Sequence, residues 1–490
     1  MQKNGFLLSE ADIGFQRVRG GSTCDTVKGK TNWKGNYLNT AARLLSERKP
    51  EEFEKFGLFG KCLNRYETIC ENQPKYRPIN GFGANLKHPH WGTPNTPLGR
   101  QGPKNYDDGV SSIRKSVTGN ALPNARQVFR NVLHKAYKVP RTSNDPNLLL
   151  VINELFISHD IGQTRPHTAD DHCKEIRCCS SGNKKVLDPS LSNSACLPII
   201  IEADDDFYGK DNITCLNLVR SKPASHPGTI QSGEILNKVT GYLDLSAIYG
   251  SDVVESNKVR TFVDGKLRLG KNDVFPVDAN GEYTAISNRL TAVLITAIFP
   301  VFLSRNHNNL ASGLKAVNPM WDDEKLFQEA RRVNIALYQE LLNHKLFLEA
   351  LGFEIDAPFD ENVNPSATAE FISAAYRFFH LYMTPWVKFI DSNMNEEKIP
   401  VSDTFGRVDL VQNRFDDLVR GQLGDKLHYG NYSDELYNKF AKNEKGHGID
   451  IFSFDIQRGN HETFNLHIVE YHNSDSYRSR SWSSYLAPGP

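Results

Sequence analysis

The chain has 490 residues, 24% of them charged and 39% hydrophobic, which supplies enough apolar material for a substantial core and excludes a wholly disordered protein. Lys plus Arg and Asp plus Glu each number 58, so net charge gives no ground for nucleic acid or an acidic membrane surface as a partner. The longest apolar run, Leu290 to Leu303, is interrupted by Pro300 and too short for a membrane span.

Residues 1–120 are irregular, with Gly, Pro and Asn clustered at Pro78–Gly81 and Gly92–Pro97. One helix is predicted there, over Leu38 to Phe59. Aromatic anchors at Tyr76, Trp91 and Tyr106 make the region a set of loops wrapped on a core rather than a linker. Asn124 is then a predicted N-cap for an amphipathic helix over Ala125 to Val139, with Gln127 three residues beyond it. From Pro146 to His159, Leu148, Val151, Ile152, Leu155 and Phe156 recur at the three-to-four spacing of a buried helix. Strand-like alternation is confined to a short stretch around Val259 to Leu269. Long helical patterns follow over Asp323 to Leu351 and Ala367 to Tyr382. No internal repeat occurs, and the expected architecture is mainly α: one large helical domain with long wrapping loops and very little β.

The cysteines are Cys24, Cys62, Cys70, Cys173, Cys178, Cys179, Cys196 and Cys215, an even number crowded into loop-like sequence of the first half. That distribution points to disulfides, whereas a zinc site would call for paired CxxC knuckles that are missing. Met1–Asn4 runs directly into polar sequence without a signal peptide, so the chain is either cytosolic or a processed form of a secreted protein, and the cysteines favour secretion or a secretory-pathway lumen. The sequons at Asn212 and Asn431 would then be glycosylation sites.

Three constellations carry chemistry. His159 ends the apolar helix with Asp160 beside it; an imidazole moves protons near neutral pH, although a helix C-terminus also favours His through its dipole. In Thr240-Gly241-Tyr242-Leu243-Asp244-Leu245-Ser246, oxygen-bearing side chains alternate. Such a segment could wrap a hard cation such as calcium, or form a half-buried strand. In the helical pattern around Glu370 to His380, Arg377 and His380 fall on one side, with Phe371, Ala375 and Phe378 along an apolar side. That places His380 either as a metal ligand beside an anion-holding guanidinium or as a core histidine bonded to a carbonyl.

In this order, the three segments resemble the animal-type haem peroxidases, including peroxinectin-like and egg-chorion peroxidases. Other matching stretches are Tyr76–Gly81, Asn85 through Gly92, Tyr106–Val110, Leu122–Arg126, Val219–Ser221, Tyr249–Ser251, His307-Asn308 and Asp455–Gly459. The resemblance implies a haem peroxidase domain over residues 21–475, an N-terminal extension over 1–20 and a tail over 476–490. It makes His159 the distal base, Arg289 the distal arginine and His380 the proximal iron ligand. Asp160, Thr240, Tyr242, Asp244 and Ser246 match the calcium ligands, and Arg377 and Arg458 match residues that face the haem propionates. The implied activity is reduction of hydrogen peroxide or an organic hydroperoxide with oxidation of a small organic donor or iodide.

Three departures from the pattern carry consequences. Ser158 and Ala292 stand where many members have the carboxylates that esterify haem, so non-covalent haem b is expected. Leu155 replaces the distal Gln, which makes the pocket drier and disfavours chloride as substrate. Asp455 replaces the proximal Asn and should give the His380 ring imidazolate character. Two other function classes fit the fold. One is a different haem reaction such as oxygenation, although the Tyr that fatty-acid dioxygenases place three residues before the proximal His is Arg377 here, with Tyr376 adjacent. The other is a secreted adhesion or matrix protein.

Overall fold

The computed structural model describes residues 75–462, apart from 104, 109–111, 135–146, 167, 170–173, 189–192, 194, 225–233, 278–289, 291, 342–359 and 428–432. Several expectations lie outside them: the Leu38–Phe59 helix, Cys24, Cys62, Cys70, Cys173, Asn431 and the distal candidate Arg289.

Helices dominate the described residues. They include α1 (Ala125–Val128), α2 (Leu149–Ile161), α3 (Ser246–Tyr249), α4 (Val253–Val259), α5 (Ile298–Val317), α6 (Asp323–Leu341), α7 (Ala369–Ser373), α8 (Val408–Leu423) and α9 (Ile451–Glu462). The β ribbons among the described residues are four separate antiparallel pairs: β1 (Thr96–Pro97) with β6 (Leu236–Asn237), β2 (Thr168–Ala169) with β3 (Lys174–Glu175), β4 (Ile199–Ile200) with β5 (Cys215–Leu216), and β7 (Trp386–Ile390) with β8 (Glu396–Pro400). This is the mainly helical architecture the sequence predicts.

Helix α2 runs through the centre. Its residues from Leu150 to Ser158 are all buried, which is the environment an all-round apolar helix requires. Val151, Ile152 and Leu155 join Ile298, Val301, Phe415, Leu418 and Phe452 in one core cluster. Phe156 and Ile157 face a second, with Ile248, Tyr249, Phe327 and Tyr338. The side chain of Asn147 starts the helix by accepting from Leu149 N–H at 3.1 Å. At the other end, a Cβ on Gly162 would lie 2.1 Å from Ile372 Cδ1, so any side chain there would force Ile372 of α7 to repack.

Helices α1 and α9 are tied together by charge. Asn124 caps α1 through Arg126 and Gln127 N–H, as expected. Beyond Val128 the path continues as a π-helical turn over Phe129–Leu133, not as a uniform α-helix. Arg126 is buried, with Nε 2.9 Å from Asp205 Oδ2 and Nη1 2.7 Å from Asp450 Oδ2. Asp450 also caps α9 by accepting from Phe452 and Ser453 N–H. Truncating Arg126 would strand two buried carboxylates, a loss of roughly 3–5 kcal/mol.

Other elements differ from the sequence expectation. The alternation at Val259–Leu269 does not form a ladder: Val259 ends α4, and only the isolated bridge Arg260↔Leu267 lies within the stretch. Thr240–Ser246 forms bends into α3 rather than a strand, with Leu245 in the left-handed region at φ 58°. The Ala367–Tyr382 pattern splits into α7 and a 3-10 helix over Ala375–Tyr382, because Ala374 leaves helical geometry at φ −139°, ψ −64°. Two disulfides, Cys178–Cys196 and Cys179–Cys215, close loops across Cα separations of 5.4 and 5.9 Å.

Candidate active site

The 3-10 helix determines how His380 is presented. At three residues per turn, positions 377 and 380 eclipse, so Arg377 and His380 share one edge and meet the same residue of α9. His380 Nδ1 lies 2.6 Å from Asp455 Oδ2, and Arg377 Nη1 donates to Asp455 Oδ1 at 2.7 Å. Phe378 falls on another side and is 47% exposed, so the apolar side expected from Phe371, Ala375 and Phe378 does not form. Burial favours a neutral Asp455, but His380 and Arg377 outweigh it and hold the carboxyl below its usual range. Arg377 is largely shielded as well, yet Tyr376 and Asp455 keep it firmly cationic. With Nδ1 engaged, His380 Nε2 has no hydrogen-bond partner among the described residues. An imidazole oriented by a carboxylate with its other nitrogen left over is the donor arrangement that an axial metal ligand needs.

Arg458 and Glu462 are on α9 one turn apart, and Arg458 Nη1 lies 3.3 Å from Glu462 Oε1 and 3.1 Å from Ser221 Oγ. Glu462 also accepts from Ser373 Oγ at 2.6 Å. Each arginine that the resemblance assigns to a propionate therefore has a carboxylate partner within the chain.

The opposite candidates come from α2, which packs against the 3-10 helix. His159 is half-buried, and Ser158 Oγ donates to the Leu155 carbonyl at 2.8 Å while lying 3.4 Å from His159 Nδ1. Leu155 is buried within the core cluster. The carbonyl of Ala292 holds the turn that precedes α8 by accepting from Gly406 N–H at 2.9 Å.

Asp160, next to His159, is fully buried and turns into the 240–246 segment. Its carboxylate accepts from Leu245 N–H at 3.1 Å and Ala247 N–H at 2.9 Å, and its carbonyl accepts from Ser246 Oγ at 2.9 Å. Asp244 Oδ1 accepts from Thr240 Oγ1 at 2.7 Å, while Asp244 Oδ2 is buried with no partner. Burial and the neighbouring Asp244 push Asp160 up to about 8; burial also raises Asp244, with Arg331 and Arg77 opposing. Neither carboxylate forms an ion pair among the described residues. Two buried acids with hydroxyl and carbonyl oxygens around them, and one orphaned oxygen, fit a hard cation. No group of three or more His, Cys, Asp or Glu side chains converges among the described residues, so any cation here would rest on two carboxylates and neutral oxygens.

Glu154 was not among the residues the sequence singled out. It is buried in α2, its Oε1 has no partner, and burial alone pushes it up to about 8. The signal was available: one carboxylate inside an otherwise apolar helix.

The pattern for animal haem peroxidases matches residues 76–464. The chain belongs to that family. Haem is the family's cofactor, and the match covers every site residue described above. Among relatives, chorion peroxidase of Aedes aegypti is 31% identical over 476 residues, covering 86% of this chain and 57% of its own length. This haem peroxidase chain spans between 55% and 65% of the length of the insect relatives it matches. Among solved structures, peroxidase A of Dictyostelium discoideum has a TM-score of 0.65 at 18% identity, covering 80% of this chain and 76% of that one. A fatty acid α-dioxygenase of Arabidopsis thaliana gives 0.57 at 16% identity, covering 79% and 63%. These two similarities concern the fold. No described helix is long and apolar enough to cross a membrane.

Proposed function

We propose that this chain is a haem-dependent peroxidase that reduces hydrogen peroxide or an organic hydroperoxide while oxidising a small organic donor or iodide. The observation that carries this reading is His380, with Nδ1 held 2.6 Å from Asp455 and Nε2 left without a hydrogen-bond partner among the described residues. Bound there, haem supplies the iron at which peroxide is reduced and the electrons of the donor are taken up. His159 takes the proton from the proximal oxygen of the hydroperoxide and returns it to the leaving oxygen. Arg289 stabilises the charge that develops as the O–O bond lengthens. Asp455 draws on the His380 N–H, which strengthens the imidazole as a donor and favours the ferric state.

Asp160, Thr240, Tyr242, Asp244 and Ser246 would hold calcium, and the orphaned Asp244 oxygen supports this set. Because Asp160 follows His159, that cation would also fix the end of the distal helix. Ser158 and Ala292 offer no carboxylate for an ester, which supports non-covalent haem b: acid-acetone should extract the pigment, and pigment retained on the denatured chain would refute it. The domain reaches over residues 21–475. Secretion is supported by the two disulfides and by the exposed sequon at Asn212.

Rapid mixing of haem-loaded protein with peroxide, followed spectroscopically with phenolic donors, iodide and chloride, tests the reading. The expected result is fast reaction with peroxide and recovery by phenols or iodide, with chloride slow because Leu155 removes a polar distal group. Oxygen consumption with a fatty acid and no peroxide requirement would instead favour an oxygenase, the activity named for the α-dioxygenase of similar fold.

A further inference from the structure

We infer that Arg377 acts on His380 through Asp455: it is a positioning residue whose charge on one carboxylate oxygen limits how strongly the other pulls on the imidazole N–H. This rests on His380 being the axial ligand, as proposed above.

Asp455 bridges the two side chains with one oxygen each, Oδ1 to Arg377 at 2.7 Å and Oδ2 to His380 at 2.6 Å. The 3-10 path after Ala374 makes the bridge possible, since it stacks positions 377 and 380 on one edge facing α9. Both partners are largely shielded, with side-chain exposures of 11% for Arg377 and 13% for Asp455, so solvent screens the pair little. A metal-bound imidazole with its Nδ1 proton retained is neutral. Arg377 is then the cation in contact with Asp455 among the described residues. A guanidinium on one oxygen withdraws charge from the other, and the pull on His380 weakens accordingly. Arg377 Nε is buried without a partner, which leaves a donor for a propionate; that role and the one inferred here make different predictions.

The test is the iron–histidine stretching band in the resonance Raman spectrum of the haem-loaded ferrous protein, compared across variants at neutral pH. Arg377→Met should move the band to higher frequency, because the freed carboxylate pulls harder on the ring. Arg377→Lys, which keeps the charge, should stay near the parent. In an Asp455→Asn background, Arg377→Met should leave the band where Asp455→Asn alone puts it. The ferric/ferrous potential should fall in Arg377→Met, but losing a nearby positive charge would lower it in any case, so the band decides. An unchanged or lowered band in Arg377→Met overturns the inference, including where haem dissociates faster, which would mark Arg377 as a propionate anchor alone. His380→Gly separates the two levels: a band that survives there without added imidazole defeats the ligand assignment itself, whereas a band lost there but unmoved by Arg377→Met defeats only this inference.

Discussion

Around His380 the chain supplies both members of an ion pair. Asp455 meets an arginine on one oxygen and the imidazole on the other. Around His159 it gathers acids instead: Glu154 and Asp160 on α2, and Asp244 facing Asp160, all buried and none in an ion pair among the described residues. Burial raises all three. A buried carboxylate is tolerated when paired, or when it keeps its proton. The carboxylate beside His380 is therefore paired within the protein, while the acids of α2 and Asp244 lack an ion-pair partner among the described residues and keep raised pKa values.

The largest break in that contrast should come from calcium. If Asp160 and Asp244 are its ligands, free calcium a thousandfold above its dissociation constant adds about 4 kcal/mol of stability. Chelation should lower the unfolding temperature by several degrees and disorder the haem site, and calcium should restore both. A verified calcium-free sample with unchanged melting and full activity would mean that the distal acids are settled in another way.

Glu154 sharpens the other half of the distal account. Its carboxyl is held at about 8 in the folded protein against a usual 4.5. Between these values the unfolded chain gives up the proton and the folded one keeps it, so this group makes stability fall as pH rises, by about 1.4 kcal/mol per pH unit. Glu154→Gln should flatten the dependence above pH 5, measured by urea unfolding at pH 5.5, 6.5 and 7.5. An unchanged slope would show that Glu154 has a partner in solution.

A smaller shift is expected around His380, where pairing is already made. Asp455→Asn should raise the ferric/ferrous potential, by about 60 mV for each tenfold loss of relative ferric stability. Spectroelectrochemical titration reads this directly, and a potential equal to or below the parent's would contradict a carboxylate that favours ferric iron.

The sequence revealed α2 because its core-facing residues recur within one short window, and it revealed the Asn124 cap because capping is local. The pairing of His380 with Asp455 spans 75 positions, so no local pattern encodes it; family resemblance alone brought the two together. The break at Ala374 carries no Gly or Pro to announce it. Helix α4 was hidden by alternation that begins at its last residue, although Asp252 caps it by accepting from Glu255 N–H at 2.8 Å, a signature local enough to read. Glu154 is masked in the sequence by neighbours that make the stretch look uniformly apolar, although a single acid in such a helix is the informative residue.

The central claim, that His380 binds the haem iron through Nε2, is tested most directly by cavity replacement. Ferrous haem-loaded protein should show an iron–histidine Raman band that disappears in His380→Gly and returns on adding imidazole. A band that persists in His380→Gly before imidazole is added would contradict the account.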